Sequence, residues 1–140
     1  DIFDENSNLI GKHNGVHFYT LGQRQGLGIG GVKGSSEQPW YVAAKDNLNN
    51  SLTVVQDNNH PLLLNSELKV KKINWLISKL PTLNNLNCKI RYRQKDQLCS
   101  LEETSNGWVV SFEEPQRAIT PGQSIVFYDG DTCLGGGEID

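Results

Sequence analysis

Residues 98–112 read LCSLEETSNGWVVSF, in which two short runs with the composition of strands flank a turn. The central Ser-Asn-Gly is typical of a tight connection between strands. Further short strands are predicted at 68–75, 88–95 and 123–128, and Asp129-Gly130 is another tight-turn signal. Strands at a spacing of about 10 residues predict a small sandwich or barrel. No long segment keeps the apolar period of a helix, so the sequence predicts an all-β protein.

The amino-terminal part predicts a separate, smaller β unit. Val16–Leu21 is rich in β-branched and aromatic residues and is predicted to be a strand. Trp40–Ala44 and Leu52–Val55 flank an asparagine-rich turn, which predicts a hairpin. An Asn-Asn-His-Pro run then breaks the chain. We therefore predict a central β domain at residues 1–62 and a second domain at residues 63–140.

Charge is distributed unevenly along the chain, although its net value is only −3. Residues 69–95 carry eight cations and no acid, whereas residues 96–140 carry nine acids and a single cation, Arg117. The distribution of charge matters more than its sum when the partner is a polyanion. The basic segment therefore leaves a nucleic-acid partner open.

The cysteine count and the apolar runs bear on the compartment. Three widely spaced cysteines form a poor disulfide framework and favour a reducing, cytoplasmic setting. No apolar run approaches the roughly 20 residues that span a bilayer, so no membrane partner is predicted. Because the sequence contains no Met, we expect an excised piece of a longer protein.

Motifs for cofactors, metals and nucleophiles give no catalytic prediction. Gly26–Gly31 has the letters of a dinucleotide-binding loop, but no apolar strand precedes it and no helix is predicted after it, so we reject a cofactor site. His13 and His17 lack the further ligands that a zinc site needs. All three cysteines lie beside apolar residues and are predicted to be small buried side chains. We predict no catalytic residue, no cofactor-binding residue and no metal ligand.

The segment at 89–95, KIRYRQK, is the most informative for function. As a strand, it would place four cations on one face: Lys89, Arg91, Arg93 and Lys95. Like charges repel one another, and a polyanion such as a phosphate backbone would hold them together, with Tyr92 or Gln94 adding stacking or a polar contact. Alternatively, the cations pair with acids of the following strands. Charge alone leaves both interpretations open.

Four stretches, taken in order, resemble the tRNA-specific 2-thiouridylase family. They are GVHFYTLGQRQGLGIGG at 15–31, PWYV at 39–42, RYRQ at 91–94, and TPGQSIVFY at 120–128 with CLGGG at 133–137. The resemblance implies an enzyme that sulfurates the wobble uridine of certain tRNAs. In that family an amino-terminal domain binds ATP and adenylates the uracil oxygen, and a persulfide cysteine then delivers sulfur. The resemblance also implies a small central β domain and a six-stranded barrel similar to the second domain of elongation factor Tu.

The catalytic features of the family have no counterpart in this sequence. It has no Ser-Gly-Gly-x-Asp-Ser loop, and its cysteines do not match the catalytic positions of the family. The resemblance therefore implies ATP as a cofactor of the parent enzyme and none for this part. For the parent it also implies two partners, the amino-terminal catalytic domain and a sulfur-relay protein or cysteine desulfurase. We expect the isolated chain to transfer no sulfur.

Contacts to tRNA do carry over from the family. Its Arg-Tyr pair and the last Gln of Thr-Pro-Gly-Gln touch tRNA, which implies Arg91, Tyr92 and Gln123 as tRNA-binding residues. The neighbouring cations join this predicted set: Arg93, Lys89 and Lys95. On a regular strand Arg91 and Tyr92 face opposite ways, so both reach RNA only at an edge, a bulge or a strand end.

Two rival hypotheses each depend on an observation that the structure would have to supply. One is a protein-interaction module that docks on the catalytic domain through residues 22–40 without touching RNA, which requires a sizeable exposed apolar patch. The other is a free-standing enzyme that uses the glycine loop, which requires a dinucleotide there and a helix after it.

Overall fold

The structure is a computed structural model that describes residues 1–30, 32, 34, 36–79 and 82–140. Strands make up most of its regular structure, which confirms the predicted all-β class. The chain divides into two compact units, Asp1–Leu64 and Asn65–Asp140. Within the described ranges, no helix has the length and apolar character needed to cross a membrane.

The first unit is built on one small sheet. Its strands are β1 (Ile2–Phe3), β2 (Leu9–Gly11), β3 (Trp40–Asp46) and β4 (Ser51–Gln56), in the spatial order β2-β1-β4-β3. β3 and β4 pair antiparallel, which confirms the predicted hairpin, whereas β1 pairs with β4 in parallel. Leu52, Val54 and Val55 of β4 are fully buried, so this strand is central to the core of the unit.

The predicted strand at Val16–Leu21 is wrong, because its first residues form a 3₁₀ turn, Val16–Phe18. Local hydrogen bonds explain the difference. The amide of Val16 donates to Oδ1 of Asn50 at 3.2 Å, and the amide of Gly15 donates to the ring of His13 at 2.9 Å. Side-chain acceptors of this kind offer the backbone an alternative to a strand ladder, and here they outweigh the β propensity of the residues. A second 3₁₀ turn, Pro61–Leu63, ends the unit.

The second unit is a closed barrel of six strands, as the family resemblance implies. The strands follow one another in the spatial order β10-β5-β8-β7-β6-β9, and β9 pairs with β10 to complete the circle. Their bounds are β5 (Leu64–Trp75), β6 (Leu86–Lys89), β7 (Gln97–Thr104), β8 (Gly107–Arg117), β9 (Ser124–Asp129) and β10 (Thr132–Ile139). Ile125, Phe127 and Val110 are fully buried inside it.

The predicted strand at Cys88–Lys95 is also wrong in its extent, because β6 ends at Lys89. Residues 90–94 turn away from the ladder instead. The four cations of this segment therefore do not share one face of a strand. Arg91 and Tyr92 follow Ile90, the first residue after β6, and a strand end is one of the three situations in which both can reach the same partner.

The hairpin of β7 and β8 depends on the glycine at its turn. Gly107 pairs with Thr104 and has a φ of +131°, a conformation that other residues rarely adopt. A Cβ at this position would lie 2.5 Å from the carbonyl oxygen of Val70 and 2.8 Å from that of Lys71, on β5. Both the backbone conformation and the approach of β5 therefore require glycine.

We expect Gly107→Ala to lower the free energy of unfolding of the barrel by about 3 kcal/mol, because backbone strain and a clash with β5 add together. Denaturant unfolding followed by tryptophan fluorescence measures the change. Gly130→Ala is the matched control, since Gly130 has a φ of +58° but an added Cβ meets nothing within 4 Å. Its loss should stay near 1 kcal/mol. Equal losses in the two variants would contradict the role given to β5.

Candidate nucleic-acid interface

The turn after β6 is closed by the side chain of Gln94. Its Oε1 accepts a hydrogen bond from the backbone amide of Ile90 at 2.9 Å, and the backbone amide of Gln94 donates to the carbonyl oxygen of Arg91 at 3.3 Å. The side chain thus takes the amide that would otherwise continue the β6 ladder. Residues 91–93 between these two anchors are all exposed.

Two further glutamines tie Gln94 to the barrel. Nε2 of Gln94 donates to Oε1 of Gln116 at 2.7 Å. Gln116 in turn donates from Nε2 to Oε1 of Gln97 at 3.0 Å and to the carbonyl oxygen of Glu114 at 2.9 Å. With 4% of its surface exposed, Gln116 is buried, and burial makes its hydrogen bonds costly to lose.

Arg91 is fastened to the end of β8 by one nitrogen. Its Nη2 donates to the carbonyl oxygens of Arg117 and, at 3.4 Å, Ala118. Partial burial of the guanidinium and the nearby charge of Arg117 lower the pKa of Arg91. Among the described residues, Arg91 forms no ion pair with a carboxylate. Its charge is therefore not cancelled by a neighbouring acid.

The connection between β8 and β9 brings Gln123 to the same end of the barrel. Oγ1 of Thr120 donates to the carbonyl oxygen of Ala118 at 2.9 Å, and the amide of Gln123 donates to the carbonyl oxygen of Thr120 at 3.3 Å. Ala118 itself accepts from Arg91, so a short path of hydrogen bonds joins Arg91 to Gln123. The side chain of Gln123 is exposed.

The predicted tRNA-binding residues fall into two groups. The turn and the neighbouring connection hold exposed members: Arg91, Tyr92, Arg93, Lys95 and Gln123. Tyr92 is 95% exposed, so its ring packs on almost nothing in its own chain, which is unusual for a tyrosine. Lys89 differs, because its Nζ lies 3.6 Å from Oδ1 of Asp96 and 5.4 Å from the centre of the Tyr128 ring. The sequence left open whether these cations bind a polyanion or pair with acids, and Lys89 pairs with an acid.

Gln116 was missed by the sequence analysis, although a signal for it exists. Val110 and Phe112 face the core, and position 116 has the same parity along β8, although the exposed Glu114 interrupts the alternation between them. A glutamine at an inward position needs partners for both its amide groups. That requirement pointed to a buried polar network.

The described residues of the glycine-rich segment do not show the exposed apolar patch that the docking interpretation requires. Leu27 and Ile29 are buried in the core of the first unit, with 5% and 7% of their surface exposed. No large apolar side chain is exposed among the described residues of 22–40. No helix follows Gly30 in the described part of this segment, and Gly31, the last residue of the dinucleotide-like motif, lies outside the described residues.

The three cysteines occupy two different environments. Cys88 and Cys99 are buried, whereas Cys133 is exposed, so the prediction that all three are buried is wrong for Cys133. Cys133 lies at the start of β10, beside the β9–β10 turn, where its side chain faces solvent. A hydrogen bond with Cys99 and burial raise the pKa of the Cys88 thiol. Over the described ranges, no three His, Cys, Asp or Glu side chains gather as metal ligands would.

Comparison with known proteins defines the class of this fold. The family model described as an aminomethyltransferase β-barrel domain matches residues 65–139, and the one described as a tRNA methyl transferase PRC-barrel domain matches residues 1–56. The first match covers the closed barrel and the second covers the small sheet. The molecule is therefore a PRC-type β domain followed by an aminomethyltransferase-type barrel.

Individual relatives narrow this class to one family. The tRNA-specific 2-thiouridylase MnmA of Pseudomonas fluorescens SBW25 is 52% identical over 141 residues, which cover 100% of this chain and 38% of the relative. That of Francisella philomiragia is 54% identical over 142 residues, which cover 99% of the chain and 39% of the relative. The chain belongs to the tRNA-specific 2-thiouridylase family. It spans less than two fifths of the length of these relatives.

We expect one thiol of the folded chain to react rapidly with an aromatic disulfide reagent, namely the exposed Cys133. Cys88 and Cys99 should react only when the barrel opens, because burial denies access and keeps the Cys88 thiol protonated at neutral pH. The absorbance of the released thiolate, followed with and without denaturant, measures both phases. Cys133→Ser should remove the rapid phase alone. A rapid phase that persists in this variant would contradict the assignment.

Proposed function

We propose that this chain is the tRNA-holding portion of a tRNA-specific 2-thiouridylase. The observation that carries the proposal is the exposed Arg91-Tyr92-Arg93 turn, which hydrogen bonds fasten at one end of the barrel. Its arginines form no ion pair with a carboxylate among the described residues. Family membership supports tRNA as the substrate class. The turn offers the two kinds of group that bind RNA best, namely cations for phosphates and an aromatic ring for bases.

Arg91 is suited to a phosphate. A guanidinium has five N–H donors, and the two carbonyl oxygens of Arg117 and Ala118 occupy only Nη2. Nε and Nη1 remain for a partner, and each can donate a charge-assisted hydrogen bond to a phosphate oxygen. Because the carbonyls fix the guanidinium in advance, little side-chain entropy is lost on binding.

Tyr92 is suited to an unpaired base. Its ring has almost no contact with its own chain, being 95% exposed, and two cationic residues flank it in the sequence. Sequence-specific and structure-specific recognition of RNA commonly uses aromatic rings that stack on splayed bases of loops. The anticodon loop, which contains the wobble uridine, offers such bases. Gln123 adds a polar group that can bind a base edge or the sugar-phosphate backbone.

The activity of the whole protein follows as part of the same proposal. An amino-terminal catalytic domain would bind ATP, activate the wobble uridine and sulfurate it with a persulfide, supplied by a sulfur-relay protein or a cysteine desulfurase. The residues of this chain would bind and orient tRNA and would transfer no sulfur themselves. Its three free thiols fit a reducing, cytoplasmic setting.

We expect the 140-residue chain to bind tRNA with an affinity that falls steeply as salt rises, because each neutralised phosphate releases counterions. Arg91→Ala should weaken binding by about 1 kcal/mol or more, roughly fivefold, and should reduce the slope of log K against log salt by about one. Fluorescence anisotropy of labelled tRNA across a salt series measures both quantities.

Lys72→Ala is the matched control for this experiment. Lys72 is exposed on β5 of the same barrel and lies outside the turn. Its substitution by alanine removes the same unit of charge as Arg91→Ala. Its variant should bind tRNA almost as the unchanged chain does. An equal loss of tRNA affinity in Arg91→Ala and Lys72→Ala would show only that tRNA is attracted to the cations of the chain in general. Absence of binding, together with capture of the separate catalytic domain, would favour the protein-docking alternative.

We expect Tyr92→Ala to weaken binding of tRNA by about 1 to 3 kcal/mol, the range for loss of one base stacked on an aromatic ring. Tyr92→Phe keeps the stacking surface and should retain most of the affinity. A fully base-paired RNA of equal length tests the cause, because it offers no splayed base. If the Ala variant lost the same affinity for both RNAs, stacking on an unpaired base would not be the role of Tyr92.

A further inference from the structure

We infer that Gln116 is a positioning residue that holds the tRNA-binding turn in its binding conformation through a relay of three glutamines. The inference rests on the proposed function and adds a residue that touches no RNA itself. It stands on four hydrogen bonds that run from the wall of the barrel to the first residue of the turn. None of the sequence motifs that resemble the thiouridylase family assigns a role to position 116.

The polarity of the relay is fixed by its two ends. At one end the amide of Ile90 can only donate, so the oxygen of Gln94 must face it, at 2.9 Å. At the other end the carbonyl oxygen of Glu114 can only accept, so the nitrogen of Gln116 must face it, also at 2.9 Å. The amides of Gln94 and Gln116 then meet as nitrogen to oxygen, 2.7 Å apart. Each amide has only one orientation that satisfies all its neighbours.

Only a glutamine fits the middle of this relay. Its oxygen accepts from Gln94 while its nitrogen donates to Gln97 and to the backbone of β8. An apolar side chain of equal length would leave a donor of Gln94 and an acceptor of Gln97 without their partner. A carboxylate would set two acceptors against each other at Gln97.

The end of β8 fastens the turn at successive positions. Gln116 holds it by a side chain, whereas Arg117 and Ala118 hold Arg91 by their carbonyl oxygens. The relay thus fixes the base of the turn at Ile90 and Gln94, and the carbonyls fix the guanidinium between them. Loss of the relay would free the exposed residues 91–93 to sample other conformations, which must be ordered again when RNA binds.

Gln116→Met tests the role, because methionine has nearly the shape of glutamine and no amide. We expect the variant chain to bind tRNA about threefold to tenfold more weakly, the scale of one or two neutral hydrogen bonds. The amide of Ile90 should also exchange its hydrogen faster in NMR spectra, since its acceptor is no longer held. Gln94→Met should weaken tRNA binding to a similar degree. The double variant should bind tRNA no more weakly than the single variant with the lower affinity.

A control separates positioning from general stability. Val110→Ala removes buried volume from the same barrel without touching the turn, since Val110 is fully buried on β8. At a temperature where every variant is folded, Val110→Ala should leave tRNA affinity and Ile90 exchange unchanged even if it lowers the melting temperature more. An equal loss of affinity in Val110→Ala and Gln116→Met would overturn the positioning role.

The remaining outcomes distinguish this inference from the proposed function. If the unchanged chain binds tRNA and Arg91→Ala weakens it, but Gln116→Met does not, only the positioning role is overturned. If the unchanged chain binds no tRNA, the positioning role and the proposed function are both overturned, because the turn then does not bind RNA. Additive losses in the Gln94→Met and Gln116→Met pair would also overturn the relay.

Discussion

Closure of the barrel through β10 is the constraint on which the second unit depends. β10 pairs with β9 on one side and with β5 on the other. A Cβ at Gly136 would lie 2.7 Å from the carbonyl oxygen of Ile125, and one at Gly137 would lie 2.5 Å from that of Lys72. Consecutive glycines therefore let one strand approach both neighbours closely enough to complete the ring. A closed ring has no free strand edge, so only its connections depart from the ladder of hydrogen bonds.

Closure also decides which connections meet. β6 lies between β7 and β9, and it pairs antiparallel with both. The connection that leaves β6 and the one that enters β9 therefore lie at the same end of the barrel. Hydrogen bonds from Arg91 to the carbonyls of Arg117 and Ala118 join them. The two segments are more than twenty residues apart in the sequence. The pairing of the strands brings them to one surface, and the side chain of Arg91 then links them.

The strands and turns were largely predictable from sequence, because short β-rich runs bounded by glycine, proline and asparagine leave few alternatives. Five of the six barrel strands gave such a signal. β10 did not, since its glycines have low β propensity and serve packing instead. The 3₁₀ turn at Val16–Phe18 and the early end of β6 were missed for a common reason. The side chain of Asn50 accepts a hydrogen bond from the backbone amide of Val16, and that of Gln94 accepts one from the backbone amide of Ile90. Composition does not reveal which backbone amide a polar side chain will bind.

The positions of the acidic residues explain how a chain with a net charge of −3 can still carry exposed arginines at one end of the barrel, where the proposed function places RNA. Acids on the barrel lie along β7 and β8 and beside the β9–β10 turn, and they are exposed: Glu102, Glu103, Glu113, Glu114, Asp129 and Asp131. Asp96, the acid nearest the basic turn in the sequence, is paired with Lys89 at 3.6 Å. Screening limits the reach of each charge to about 8 Å at physiological salt. Under the proposed function, an RNA backbone is therefore repelled along β7 and β8 and attracted at the end that carries Arg91 and Arg93. On that proposal, the acids of β7 and β8 restrict where RNA can bind, and the exposed arginines determine where it binds.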